Sequence, residues 1–135
     1  MKTYRAGILA MITTCLTLFA NSIPTWAGSA SIFEISIYDY ANLRYAKGSM
    51  SSARYSADSN QAIGCHIFTS SNQATATACY ARDSVGTYVY CLSTNPRHVG
   101  DLQGMTDSSY IYFITDLTTG TCNFIEMYDG SNLLK

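Results

Sequence analysis

The chain has 135 residues, a formal charge of -1 and only 13% charged side chains. With 8 Lys and Arg against 9 Asp and Glu, it has no basic cluster able to neutralise phosphates, which excludes a nucleic-acid footprint. A 13% aromatic content with 11 Tyr excludes a charge-rich disordered tail, and the length allows one domain.

The first segment reads as an address. Lys2 and Arg5 form a short basic stretch, and Ile8 to Ala20 then runs without a charge. Thr25-Trp26-Ala27 places small residues where a signal peptidase reads. The apolar run is too short for the ~20 residues that cross a bilayer. The expectation is a secretory signal over 1–27, cleaved after Ala27, with Ala20 and Ala30 as rival sites. Cys15 is not expected to carry lipid, because Thr14 precedes it where a smaller residue belongs. Removal of 1–27 leaves a single domain, 28–135, with 6 basic and 9 acidic residues. That makes the protein secreted or periplasmic, with bacterial origin preferred because no Asn-x-Ser/Thr sequon occurs, and with no membrane span after cleavage.

The remaining pattern is one of strands. Ala30 to Tyr38 alternates, with Phe33, Ile35 and Ile37 on one face. Ser49 to Ser59 is polar and reads as an edge strand or a loop. Gln61 to Thr69 puts Ile63, Cys65 and Ile67 together. Ser70-Ser71-Asn72 is a turn, and Ala74 to Arg82 is a strand of small residues. Asp83-Ser84-Val85-Gly86 turns the chain again, with Gly86 free to take positive φ. Thr87 to Ser93 sets Val89 and Cys91 against Tyr88, Tyr90 and Leu92. Asn95-Pro96 opens one short helix near 96–104, with Asn as the cap and Pro in the first turn. Ser109 to Thr115 and Cys122 to Tyr128 form a last hairpin, closed by Leu117-Thr118-Thr119-Gly120. The expected fold is all-β: an antiparallel sandwich or small barrel of about 6–7 strands with that one helix.

Four cysteines follow the signal: Cys65, Cys79, Cys91 and Cys122. An even count in an exported domain points to two disulfides, and the spacings contain no C-x-x-C pair of the kind zinc favours. Turns centred near Asn72 and Val85 set Cys65, Cys79 and Cys91 in one row across three strands. The outer two are then ~9.5 Å apart, too far to bond. Cys79 takes one neighbour and the other pairs with Cys122. Cys65–Cys79 with Cys91–Cys122 is the preferred arrangement.

Catalytic signals are thin. His66 and the His98/Asp101 pair read as surface groups, and no nucleophile elbow, phosphate loop or metal motif occurs. Asp101 to Asp107 and Asp129-Gly130-Ser131-Asn132 read as polar turns rather than calcium loops. No cofactor or metal is expected, and an enzyme is not favoured. Tyrosine stands out. Tyr88/Tyr90 and Tyr110/Tyr112 sit two apart on strands, so each pair lines the face opposite Val89/Cys91 or Ile111/Phe113. Those four are the candidate binding residues. The expected function is a small secreted binding or structural module engaging a protein or glycan partner through a Tyr-rich sheet face. The alternative is a secreted inhibitor or effector acting on a host or competitor enzyme, for which a protruding charged loop at Arg44 to Arg54 would be the sign. A small hydrolase ranks below both.

Overall fold

A computed structural model describes residues 31–69 and 75–130. The proposed signal segment, its cleavage site, the turn at 70–72 and the end of the 129–132 turn lie outside the described residues. Seven strands make two antiparallel sheets. The strands are β1 (Ser36–Tyr40), β2 (Leu43–Ser49), β3 (Ala62–Phe68), β4 (Ala76–Arg82), β5 (Tyr88–Ser93), β6 (Tyr110–Asp116) and β7 (Cys122–Tyr128). One sheet has the order β1-β2-β6-β7 and the other β3-β4-β5. Short helices α1 (Met50–Arg54) and α2 (Pro96–Asp101) stand at the strand ends, and α2 runs on into a 3-10 turn, Leu102–Gly104.

The core lies between the sheets, because each strand sends alternate residues inward. Ala46, Ile111, Phe113 and Ile125 enter it from the four-stranded sheet. Ile63, Cys65, Cys79, Ala81, Val89 and Cys91 enter from the three-stranded sheet, and Leu102 and Ala53 enter from the helical segments. Two disulfides staple this arrangement: Cys65–Cys79 and Cys91–Cys122. The first joins β3 to β4, where the two residues are directly opposite. The second joins β5 to β7 and so links one sheet to the other. Cys79 also faces Cys91 across the β4–β5 pair, so the row of three cysteines is formed. At the end of the sandwich, Arg44 grips the Asp39 carboxylate through two N–H donors, 2.7 and 2.8 Å long. The same guanidinium donates to the Tyr88 carbonyl of the other sheet at 3.4 Å. That fork holds the Asp39 carboxyl below its usual range.

The expected helix forms where its cap lies. The Asn95 side chain accepts from the Arg97 N–H, and Pro96 takes the first position. Both glycine turns also form. Gly86 has φ 91° and Gly120 φ 71°, and the side chains of Asp83 and Asp116 accept the backbone N–H groups inside each turn.

Three stretches differ from the sequence expectation. The first strand begins at Ser36 rather than Ala30. Ile35 and Ile37 keep the inner side, but Phe33 turns away and packs its ring edge-on against Tyr110 at 5.3 Å. Residues 44–54 are not a protruding loop. Leu43–Ser49 is a central strand paired on both sides, with β1 and with β6. Its inward positions are small, Ala46 and Gly48, so it shows no apolar alternation. A Cβ on Gly48 would clash with the Ile35 side chain and lie 3.0 Å from its Cα, so glycine lets the segment just before β1 approach this closely. The stretch from Ser49 to Ser59 is neither an edge strand nor a plain loop: Ser49 ends the central strand β2, and residues 50–54 form α1. Ser49 caps α1, its Oγ accepting from the Ser52 N–H at 3.0 Å.

Candidate contact face

The strand order that buries Phe113 also builds an aromatic outer surface. Ala46, Phe113 and Ile125 share an inward row across β2, β6 and β7. The neighbouring residues on each strand therefore point out. One outer row reads Tyr38, Tyr45, Ile114 and Phe124 from β1 to β7. The next reads Ser36, Lys47, Tyr112 and Glu126, and the third ends in Ser49, Tyr110 and Tyr128. Ser49 is small, which leaves room for Phe33 to reach Tyr110.

These rings touch one another. Tyr38 and Tyr45 stack with centroids 5.0 Å apart and planes 3° from parallel. Tyr45 and Tyr112 stack at 6.5 Å, and Tyr112 meets Phe124 at 5.5 Å. The Lys47 ammonium lies 5.9 Å from the Tyr38 ring centroid, within cation–π range. Tyr38 keeps 45% of its surface in solvent, Phe124 41% and Tyr128 55%. Phe33, Tyr110, Glu126 and Tyr128 line a depression of about 280 Å³ at one edge. The strip is thus continuous across all four strands, rigid through its backbone ladders and cheap to order on contact.

Partial burial, with Glu126 and Tyr38 nearby, raises the Tyr110 hydroxyl above its usual range. Burial also raises Tyr112, helped by Tyr38, Tyr45, Tyr110 and Glu126. The fold therefore prefers both phenols protonated. Their contribution is fully present below the ordinary tyrosine value near pH 10 and is lost as pH rises through the higher folded values. In a tyrosinate absorbance titration, Tyr110 and Tyr112 should ionise above the ordinary tyrosine value, and stability should fall in that alkaline window. Ionisation of Tyr110 and Tyr112 at the ordinary value would contradict this environment.

Tyr110 and Tyr112 lie on this face, while Tyr88 and Tyr90 lie on the outside of the other sheet, opposite the inward Val89 and Cys91. The core separates the two pairs, so the four tyrosines do not make one surface. Tyr88 keeps company with Arg82, whose guanidinium sits 5.7 Å from the ring. Sequence reasoning missed Tyr38, Tyr45 and Phe124. Tyr38 and Tyr40 already showed period-two spacing, but the strand to which Tyr45 belongs has no apolar alternation to announce it.

The histidines have local partners. His66 is exposed beside Phe68, with ring centroids 5.6 Å apart. His98 does not bond Asp101; its Nδ1 lies 2.7 Å from the Ser93 Oγ, within hydrogen-bond distance, and that Oγ also accepts from the Asn95 N–H. Ser93 lines a cavity of about 490 Å³ with Phe68, Ala76 and Leu92. Among the described residues, no carboxylate hydrogen-bonds to either imidazole, and the Ser93–His98 contact ties the end of β5 to α2. The acidic turns are tied internally: Asp129 Oδ1 accepts from the hydroxyls of Thr106 and Ser109, and Asp107 pairs with Arg54.

Comparison with protein-family models, curated proteins and solved structures returns no match.

Proposed function

We propose that the chain is an exported, disulfide-stapled binding module that engages a partner through the outer face of the β1-β2-β6-β7 sheet. The observation carrying this reading is the unbroken aromatic contact from Tyr38 through Tyr45 and Tyr112 to Phe124. A solvent-facing strip of that size is the kind of patch that marks a binding surface. Export is supported by two disulfides within one small domain and by the charge-free run behind Lys2 and Arg5.

The ring geometry favours a protein partner over a glycan. A sugar ring stacks on an open aromatic face, whereas Tyr38, Tyr45 and Tyr112 each present a face to a neighbouring tyrosine. Inhibition through a protruding loop draws no support from residues 44–54, which form β2 and α1.

The test uses the oxidised protein immobilised as bait for proteins and polysaccharides from culture medium and cell extract. Tyr38→Ser with Tyr112→Ser should keep the fold and weaken partner binding at least ~10-fold, the effect of about 1.4 kcal/mol. Tyr88→Ser with Tyr90→Ser, on the other sheet, should bind as the parent does. Equal binding by the parent and the Tyr38/Tyr112 variant would discard the aromatic face as the contact surface.

A further inference from the structure

We infer that the partner of this face is a second copy of the chain, docked face to face about a two-fold axis that runs along β6 over Tyr112. The inference rests on the contact-face reading above, and the charges of the face's middle row carry it further. That row runs Ser36, Lys47, Tyr112, Glu126. Lys47 and Glu126 flank Tyr112 at one strand spacing on either side, so they lie about 10 Å apart in one chain. Both are exposed, and neither forms an ion pair among the described residues.

A two-fold axis in the plane of the interface can follow the strands or cross them. Along β6, it keeps each row in place and exchanges the β2 side with the β7 side. Lys47 of one copy then stands over Glu126 of the other, and the reciprocal pair forms by symmetry. The same operation sets Tyr45 over Phe124 and Tyr112 over Tyr112. An axis across the strands through Tyr112 would instead set Lys47 over Lys47 and Glu126 over Glu126. Like charges facing each other disfavour that arrangement, so the charge pattern selects the first. Two twisted sheets pack face to face in this aligned manner about 10 Å apart.

The size of the face sets the strength. With the axis along β6, β2 faces β7 and β1 falls beyond the other copy's β7 edge, so three strands at about 4.8 Å spacing and six residues of length overlap over about 14 by 20 Å. That is about 280 Å² on each copy, below the ~1,000 Å² in total that a stable interface clears, so the dimer is expected to be weak and transient, with a Kd of about 100 μM or more.

Sedimentation equilibrium of the oxidised protein tests it. The parent should pass from monomer to dimer at about 100 μM and above, and its Kd should rise with added sodium chloride, because the two ion pairs are screened. Lys47→Glu alone and Glu126→Lys alone should each weaken self-association at least ~10-fold. Mixing these two variants should restore a dimer, because every facing pair is again of opposite sign, and the double reversal in one chain should restore it too. A parent that stays monomeric overturns the inference. So does a Kd that ignores salt, or single reversals that associate as the parent does. If the parent is monomeric while Tyr38→Ser with Tyr112→Ser still loses capture of another protein or a glycan, the self-docking inference fails and the contact face stands.

Discussion

Cys122→Ala is expected to cost about 2 to 5 kcal/mol of stability, the range for losing a native bridge in a small secreted domain. The Cys91–Cys122 bridge closes a loop with a sequence separation of 31. Chain entropy alone assigns such a loop about 3.7 kcal/mol, against about 3 for the separation of 14 closed by Cys65–Cys79. The larger bridge is also the one that joins the two sheets, so its loss removes a tie across the core rather than along one sheet. A second effect comes from position. Cys91 is fully buried and stands directly opposite Cys79 in the β4–β5 register. Once Cys122 is gone, the Cys91 thiolate has the Cys65–Cys79 bridge as its nearest disulfide, and exchange yields a Cys79–Cys91 pair with Cys65 free. Denaturant unfolding should show the loss, and peptide mapping of aged protein should show the exchanged pair. A variant melting within a few degrees of the parent would mean that the sheets do not depend on this bridge.

Much of that arrangement is legible in the chain because it rests on local signals. Gly86 occupies a left-handed position that few other residues tolerate, so the turn at 83–86 and with it the facing of Cys79 and Cys91 follow from spacing; the facing of Cys65 and Cys79 follows from the polar turn residues at 70–72. Ile111 and Phe113 alternate cleanly with Tyr110 and Tyr112, so the two faces of β6 are readable. β2 is not. Its inner positions are Ala46 and Gly48, chosen for close approach rather than hydrophobicity, and it is joined to β1 by Ala41 and Asn42, with Ala41 at φ 55°. A turn without glycine gives no notice of itself, and the strand that follows it was hidden. The contact face suffers for the same reason. Tyr110 and Tyr112 could be placed on an outer surface, but their neighbours are decided by strand order, which is a non-local fact. β6 pairs with β2, more than sixty residues upstream, rather than with β5. That single pairing brings Tyr38, Tyr45 and Lys47 beside Tyr112 and leaves Tyr88 and Tyr90 on the far side of the core.

Phe113→Ala is expected to lower stability by about 3 to 5 kcal/mol. Phe113 is fully buried, with Ala46 opposite it on β2 and Ile125 on β7. The cost should fall near the top of that range, because the site has little means of collapsing. Ala46 has no side chain to swing into the space, Ile125 is β-branched and stiff, and the sheets cannot close together while Cys91–Cys122 holds their spacing. A small domain holds about 5 to 15 kcal/mol in all, so this one truncation removes a large share of it. Tyr112→Ser, one residue away, should behave differently: its ring is half-buried on the outer face and its loss opens no cavity in the core. The contrast measures register. Side chains alternate with a period of two, so a one-residue slip of β6 would exchange the roles of Phe113 and Tyr112. Denaturant midpoints for the two variants decide between the registers. A costly Phe113→Ala beside a nearly neutral Tyr112→Ser places the aromatic strip outside, free for a partner. The reverse order would make Tyr112 a core residue, and the surface assembled around it would not exist.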